Sequence, residues 1–295
     1  MPESRGADDG AARRPDPTPA FLPLAKGTLS PEDARELVEL KHVILREFGF
    51  DCKAYKEPCL RRRLAVRMRA RGTHSYAAYA RLLTEDPAEG ERMLDAITIN
   101  VSKFYRNAET WEVVRTKVVP ALFKLNVPRV NIWSAGCAGG EEPYTMAMVL
   151  LQHAEEHNLR SMLKRFDILG TDVDKRVLEL AARAEYGSFS FGEIDPGIRD
   201  RFFDENRLKP EIKSMVRFQE LDLMTGPYPR GMHLIFCRNV IIYFERPVQE
   251  RLFRQFHQSL EPGGFLVLGK VETIFGGGAG LFTTISSRER VFSKP

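Results

Sequence analysis

The sequence predicts an α/β protein in two parts, an all-helical N-terminal domain followed by a parallel sheet covered by helices on both faces. Three observations carry that reading. From Ser30 to Asn100 the apolar residues recur at helical spacing. After Pro128, short apolar runs alternate with helical patterns, the order that builds parallel sheets. The first of those runs, "VNIWSAG", breaks into the small residues of "CAGGEE" before its helix begins, as a strand end does where backbone must approach a ligand closely.

Residues 1–27 hold five prolines and little apolar periodicity, the composition of a disordered tail. The helical domain, residues 28–107, opens with Ser30 as N-cap, Pro31 at the first helical position and acids in the first turn. Leu37, Leu40, Ile44 and Phe48 follow at helical spacing, and "CLRRRLAVRMRARG", "SYAAYARLLTED" and "EGERMLDAITIN" repeat the pattern. A linker helix is expected over 108–128. Residues 129–295 supply the strands "VNIWSAG", "FDILGTD", "VRFQELDL", "MHLIFCRN" and "GFLVLGK". Helices are expected at Glu141–Glu156, Val173–Ala184 and "PVQERLFRQFHQSL", and "SSRERVFSK" reads as one more strand. Residues 187–216 are irregular and form a small insert.

Composition narrows the function classes. The chain has 295 residues, 43% hydrophobic and 28% charged, enough for a sizeable core. A net charge of +4 favours solubility and calls for no nucleic-acid partner. No apolar run nears the roughly 20 residues of a membrane span. The first residues lack the apolar stretch of a secretory signal, so a cytoplasmic protein without membrane insertion is expected. Cys52, Cys59, Cys137 and Cys237 fit no common zinc spacing and read as reduced thiols.

The loop Ala135, Gly136, Cys137, Gly139, Gly140 is neither a dinucleotide G-x-G-x-x-G nor a phosphate-binding P-loop. It presents Glu141 and Glu142, which repel phosphate and favour a ligand carrying positive charge. S-adenosyl-L-methionine, with a sulfonium and an ammonium, meets that demand. The plainer alternative is a tight turn whose acids complement the helix dipole. Asp172 ends the next strand, where an acid accepts from ribose hydroxyls; it could equally cap the following helix, although Asp174 is better placed for that. Asp222 follows a third strand, where it could accept from an adenine amino group. Cys237, Arg238, Asn239 and Tyr243 follow a fourth. All four clusters lie beyond the carboxyl ends of strands, where ligands of such sheets bind.

In "NVSKFYR" (Asn100–Arg106), "WSAGCAGGEEPYT" (Trp133–Thr145), "GTDVD" (Gly170–Asp174) and "IFCRNVIIYF" (Ile235–Phe244) the chain closely resembles the CheR family of chemotaxis receptor methyltransferases. The resemblance covers roughly residues 30–293. It implies a class I (Rossmann-like) methyltransferase sheet behind the helical domain. It also implies methyl transfer from S-adenosyl-L-methionine, leaving S-adenosyl-L-homocysteine, to glutamates in the cytoplasmic helical region of membrane chemoreceptors. Asn100, Ser102 and Arg106 match the family's N-x-T-x-F-F-R string, with Ser for Thr. Glu141 and Asp172 match its cofactor acids, and Asp222–Leu223 its adenine-side pair, with Asp for Asn. Cys237–Arg238 matches a strand-end cofactor contact, flanked by Asn239, while Ala135 and Gly136 belong to the cofactor loop. Arg106 and Tyr243 match the pair beside the reacting methyl. Members that grip a receptor's C-terminal pentapeptide carry a three-stranded insert where this chain has a shortened one, which implies a pentapeptide-independent enzyme. Where the family usually has GHSE this chain has "GKVE" (Gly269–Glu272).

The chemistry is an in-line displacement. A substrate glutamate, with a pKa near ~4.3, is already an anion at neutral pH and needs no general base. Alignment and partial desolvation are what the site must supply. Arg106 offers a planar fork for the carboxylate and Tyr243 a hydrogen bond that sets its angle. In the basic helix, Arg63, Arg67 and Arg71 share a face by four-residue spacing. Without an aromatic platform, docking on acidic receptor helices is a better reading than nucleic acid. "HAEEH" (His153–His157) matches a zinc-protease string by chance, and no metal is expected. The competing readings are a cofactor-binding regulator without catalysis and a methyltransferase acting on another protein. A monomer is expected.

Overall fold

The structure, a computed structural model, describes residues 27–98 and 100–295. The tail expected over residues 1–27 lies, apart from Gly27, outside the described residues.

Helix α1 (Pro31–Phe48) starts where Ser30 Oγ accepts the Asp33 N–H and stops at Gly49, whose φ of 68° closes the last turn. With α2 (Glu57–Ala70), α3 (Tyr76–Glu85) and α4 (Pro87–Thr98) it encloses one core of Leu37, Leu40, Leu64, Met68, Tyr79 and Met93. The expected linker helix is interrupted. Helices α5 (Ala108–Val113) and α6 (Val119–Lys124) flank a π-helical turn, Val114–Val118. Pro120 has no N–H to give to the carbonyl one α-turn earlier, which favours the wider turn before it.

The main sheet has seven strands in the order β5-β2-β1-β6-β7-β9-β8. These are β1 (Val130–Ala135), β2 (Phe166–Asp172), β5 (Val216–Glu220), β6 (Met232–Cys237), β7 (Leu260–Leu268), β8 (Thr283–Ser286) and β9 (Val291–Ser293). The first five run parallel, and β9 and β8 close the edge antiparallel. The tail expected as one strand is therefore the second half of a hairpin. Polar residues 287–290, with Arg290 at φ 53°, turn the chain between its arms.

Side chains alternate across the sheet. Ile132, Ile168, Leu234 and Phe236 face a core shared with α5, α6 and α7 (Glu141–Glu156). Trp133, Leu169, Ile235 and Cys237 face one shared with α11 (Arg246–Ser259). Both faces are covered, which is why the strands read as continuous apolar runs. Helix α8 (Lys175–Arg183) packs on β2 and β5. Between β2 and β5 lie α9 (Pro196–Phe202), a hairpin of β3 (Phe203–Asp204) and β4 (Arg207–Leu208), and α10 (Pro210–Lys213). Among the described residues, no helix is long and apolar enough to cross a membrane.

One of the places where the helical part meets the sheet part bears on the segment that carries Tyr243. Residues 54–56 lie along the segment after β6: Lys56 N–H donates to the Tyr243 carbonyl at 2.7 Å, and Glu245 N–H to the Ala54 carbonyl at 3.0 Å.

Candidate functional site

Strand order reverses between β1 and its neighbours β2 and β6, which opens a crevice at the carboxyl ends. A cavity of about 950 Å³, open solvent at its mouth included, lies there. Its wall comprises the β1–α7 loop, the ends of β2, β5 and β6, and residues 100–106.

The β1–α7 loop is tightly wound. Gly136 (φ 75°), Ala138 (φ 47°) and Gly140 (φ 86°) all take left-handed backbone. The N–H groups of Gly136 and Cys137 both donate to the Thr171 carbonyl, at 2.8 and 2.9 Å. A Cβ on Gly136 would sit 2.5 Å from Val240 Cγ2, so this position needs glycine for both space and conformation. Asp172 stiffens the loop: Oδ2 accepts the Ala138 N–H at 2.9 Å and Oδ1 the Asp174 N–H at 3.1 Å. Burial raises its carboxyl pKa, against the pull of those backbone bonds. Asp174 caps α8 and accepts from Asn100 Nδ2 at 2.7 Å, joining the two halves of the wall.

Of the two glutamates, Glu142 lines the cavity and Glu141 does not. Glu142 accepts from Ser134 Oγ at 2.7 Å and from Arg238 Nη1 at 3.4 Å. Arg238 also donates through Nη2 to the Arg106 carbonyl at 2.8 Å and to Asn107 Oδ1 at 3.0 Å. Desolvation raises the Glu142 pKa and lowers that of Arg238, each opposed by the other's charge. Glu141, expected to face the cofactor, turns to Ser190 Oγ at 2.9 Å. Consecutive helix residues point about 100° apart, and among the described residues the other oxygen of Glu141, Oε2, is buried without a hydrogen-bond partner. Ala135 and Cys237 are likewise off the wall, with side chains buried in the sheet core.

Asn100, Ser102, Arg106, Gly136, Asp172, Asp222, Leu223, Arg238, Asn239 and Tyr243 all line the cavity. Asp222 tightens its own turn by accepting the Met224 N–H at 2.7 Å. Arg106 stands at the mouth with Nη1 on the Val101 carbonyl at 3.3 Å. Tyr243 is half-buried, and desolvation raises its pKa despite Arg63 and Arg106 nearby. The wall also includes Glu142, which the loop was expected to present, Lys103 from within the string "NVSKFYR", and Tyr55 and Trp111, which no motif announced.

The docking face divides. Arg63 reaches a small side pocket beside Tyr55 and Tyr243. Arg67 is instead committed inward, its fork on the fully buried Glu89 at 3.0 and 2.7 Å, where Tyr79 also donates. Arg71 pairs with Asp86 at 3.1 Å. The ligand atoms of His153, Glu156 and His157 lie within 4.8 Å of one another. The two imidazoles stack 4.2 Å apart, however, and His157 Nδ1 bonds the His153 carbonyl at 2.9 Å. Stacked rings hold their in-plane lone pairs side by side, a poor arrangement for a shared ion.

Residues 100–291 match the family model described as CheR methyltransferase, SAM binding domain, and residues 35–98 match CheR methyltransferase, all-alpha domain. A chemotaxis protein methyltransferase of Listeria innocua is 32% identical over 248 residues, 83% of this chain and 92% of its own length. Chemotaxis protein methyltransferase 1 of Pseudomonas aeruginosa is 34% identical over 202 residues, 66% of this chain and 73% of its own.

Proposed function

The chain belongs to the CheR methyltransferase family, and from that premise we propose that it methylates glutamate side chains in the cytoplasmic helical region of membrane chemoreceptors. The product would be glutamyl methyl esters formed during chemosensory adaptation. The cofactor of this family's sheet domain is S-adenosylmethionine, and the residues present suit it. Asp172 keeps a second lone pair on each oxygen for ribose hydroxyls. Asp222 lines the same cavity and could accept from the adenine amino group. Among the described residues, Asn239 Oδ1 is buried without a hydrogen-bond partner, a further acceptor for a cationic ligand.

When bound, S-adenosylmethionine supplies an electrophilic methyl group on positively charged sulfur. The chain's own residues then hold the nucleophile. The observation that carries this reading is the convergence of Arg106 and Tyr243 on one cavity from separate segments. Arg106 takes the incoming carboxylate on its fork, Tyr243 donates to it, and docking expels part of its water. No group need remove a proton, because the carboxylate arrives ionised.

Helical residues 28–107 would dock the receptor, with Arg63 beside the reaction centre, and supply Arg106 to it, while residues 129–295 carry the rest of the chemistry. The insert's hairpin has two residues per strand, which supports a protein that acts without a receptor tail tether. A regulator lacking catalysis is not favoured, since the relatives are named methyltransferases. The test is incubation with methyl-labelled cofactor and membranes bearing the cognate receptors, followed by base. Label released as methanol supports the ester; retained label, or none despite cofactor binding, rejects the glutamate substrate.

A further inference from the structure

Glu272 follows β7 and is 3% exposed. It does not line the cavity, yet its carboxylate collects the backbone of the segment that does. Oε2 accepts the N–H of Gly269 at 2.6 Å and of Asn239 at 3.0 Å, while Oε1 accepts that of Val240 at 3.0 Å. Successive N–H groups converging on one anion make a backbone nest. Asn239 holds φ 62° within it, the left-handed region that Asn enters more readily than other residues with a side chain. The fit is close on the other side too. A Cβ on Gly269 would lie 2.8 Å from both the Asn239 nitrogen and Glu272 Oε2.

The neighbours of this carboxylate explain the odd spelling "GKVE". Lys270 points outward to Glu109 at 2.8 Å, and Val271 is 74% exposed. Only the first and last letters of the string build the nest, so the middle two are free to differ.

We propose that Glu272 is a positioning residue for methyl transfer: its ionised carboxylate ties the end of β7 to residues 239–240 and so sets Arg238, Asn239 and Tyr243 against the cavity. A glutamate is needed here because several N–H donors converge on it. Glutamine keeps the shape but offers one acceptor oxygen and turns an amide NH2 towards donors. The loop would then leave its left-handed conformation, withdrawing Asn239 from the cofactor and tilting Tyr243 away from Arg106.

The role of Tyr243 rests on the reading above, whereas cofactor-side binding does not depend on which substrate is methylated. Full-length Glu272→Gln is therefore assayed first for adenosylhomocysteine binding by calorimetry, at a temperature where circular dichroism shows it folded. Losing charge-assisted bonds predicts a Kd roughly tenfold weaker, and receptor methylation with kcat reduced by a similar factor. Glu272→Asp, which keeps the charge, should recover part of both and carries the test if the glutamine variant does not fold. In a double-mutant cycle with Tyr243→Phe, the losses in kcat should fall well short of additive, because the two residues act through one loop. A folded Glu272→Gln protein with wild-type Kd and kcat, or full additivity, overturns the proposal. If the wild type methylates no receptor, the function is wrong but the calorimetric comparison still decides this one.

Discussion

Asp172 directs one oxygen to the Ala138 N–H and the other to the Asp174 N–H, so only its ionised form retains lone pairs enough for ribose as well. Burial raises its pKa, and the sign of the pH effect follows. As pH falls through that raised value the carboxylate is lost, so adenosylhomocysteine binding should weaken on acidification from above the ordinary carboxylate range near ~4. Calorimetry between neutral and mildly acidic pH measures this, and Asp172→Asn should bind roughly tenfold more weakly with the pH dependence flattened. Asp172's contribution to stability runs the other way, being full below its unfolded pKa and lost as pH rises through the folded one. Arg106→Ala should abolish transfer to glutamate while sparing most cofactor affinity. Tyr243→Phe should lower kcat roughly tenfold with the Kd nearly unchanged; an equal loss in both would show that the hydroxyl serves the cofactor. Because desolvation raises its pKa, Tyr243 remains an O–H donor at mildly alkaline pH and imposes no alkaline loss there. At this scale the strand-end positions of Asp172, Asp222 and Arg238 were legible, since topology alone sends strand ends to the crevice. The choice between Glu141 and Glu142 was not, because it turns on helix phase against Ser134 and Ser190.

The basic helix shows what periodicity can and cannot say about an element. Spacing puts Arg63, Arg67 and Arg71 on one side of α2, but the acids that claim two of them come from the segment Asp86–Glu89, which is brought there only by folding. Glu89 is fully buried between Arg67 and the Tyr79 hydroxyl. Removing it strands a guanidinium and a buried hydroxyl together. Glu89→Ala should therefore destabilise the protein by about 3 kcal/mol in chemical denaturation. Arg63→Ala should leave stability nearly unchanged and raise the KM for receptor several-fold, measured by methylation rate against receptor concentration. If Arg67→Ala raised KM at unchanged stability, the inward commitment of that residue would be wrong. The C-terminal hairpin was half legible for a related reason. β9 falls within the strand expected at "SSRERVFSK", whereas its partner β8 is disclosed by pairing rather than by pattern.

At the scale of the whole molecule, the question is what keeps the helical part seated on the sheet. One group of contacts is electrostatic: Arg176 of α8 pairs with Glu91 at 2.9 Å and with Asp95. These side chains are exposed, and such pairs are worth about 0–1 kcal/mol, less in salt. The other is a hydrophobic and backbone junction around Tyr55, whose ring packs 5.1 Å from Phe244 and 5.2 Å from Phe50 and also lines the cavity. Beside it, Lys56 Nζ donates to the Ile242 carbonyl at 2.9 Å, so the junction holds the same residues 242–244 that carry Tyr243. Nothing in the sequence around Tyr55 announces this, because a single bridge between residues 55 and 244 leaves no periodic trace. The magnitudes favour the junction. Tyr55→Ala should cost about 2–3 kcal/mol, less than a fully buried aromatic, and should weaken adenosylhomocysteine binding and slow transfer together. Arg176→Ala should cost under ~1 kcal/mol and leave binding intact. Were the order reversed in denaturation and calorimetry, the two parts would be held by charge, and their seating would have to loosen with added salt.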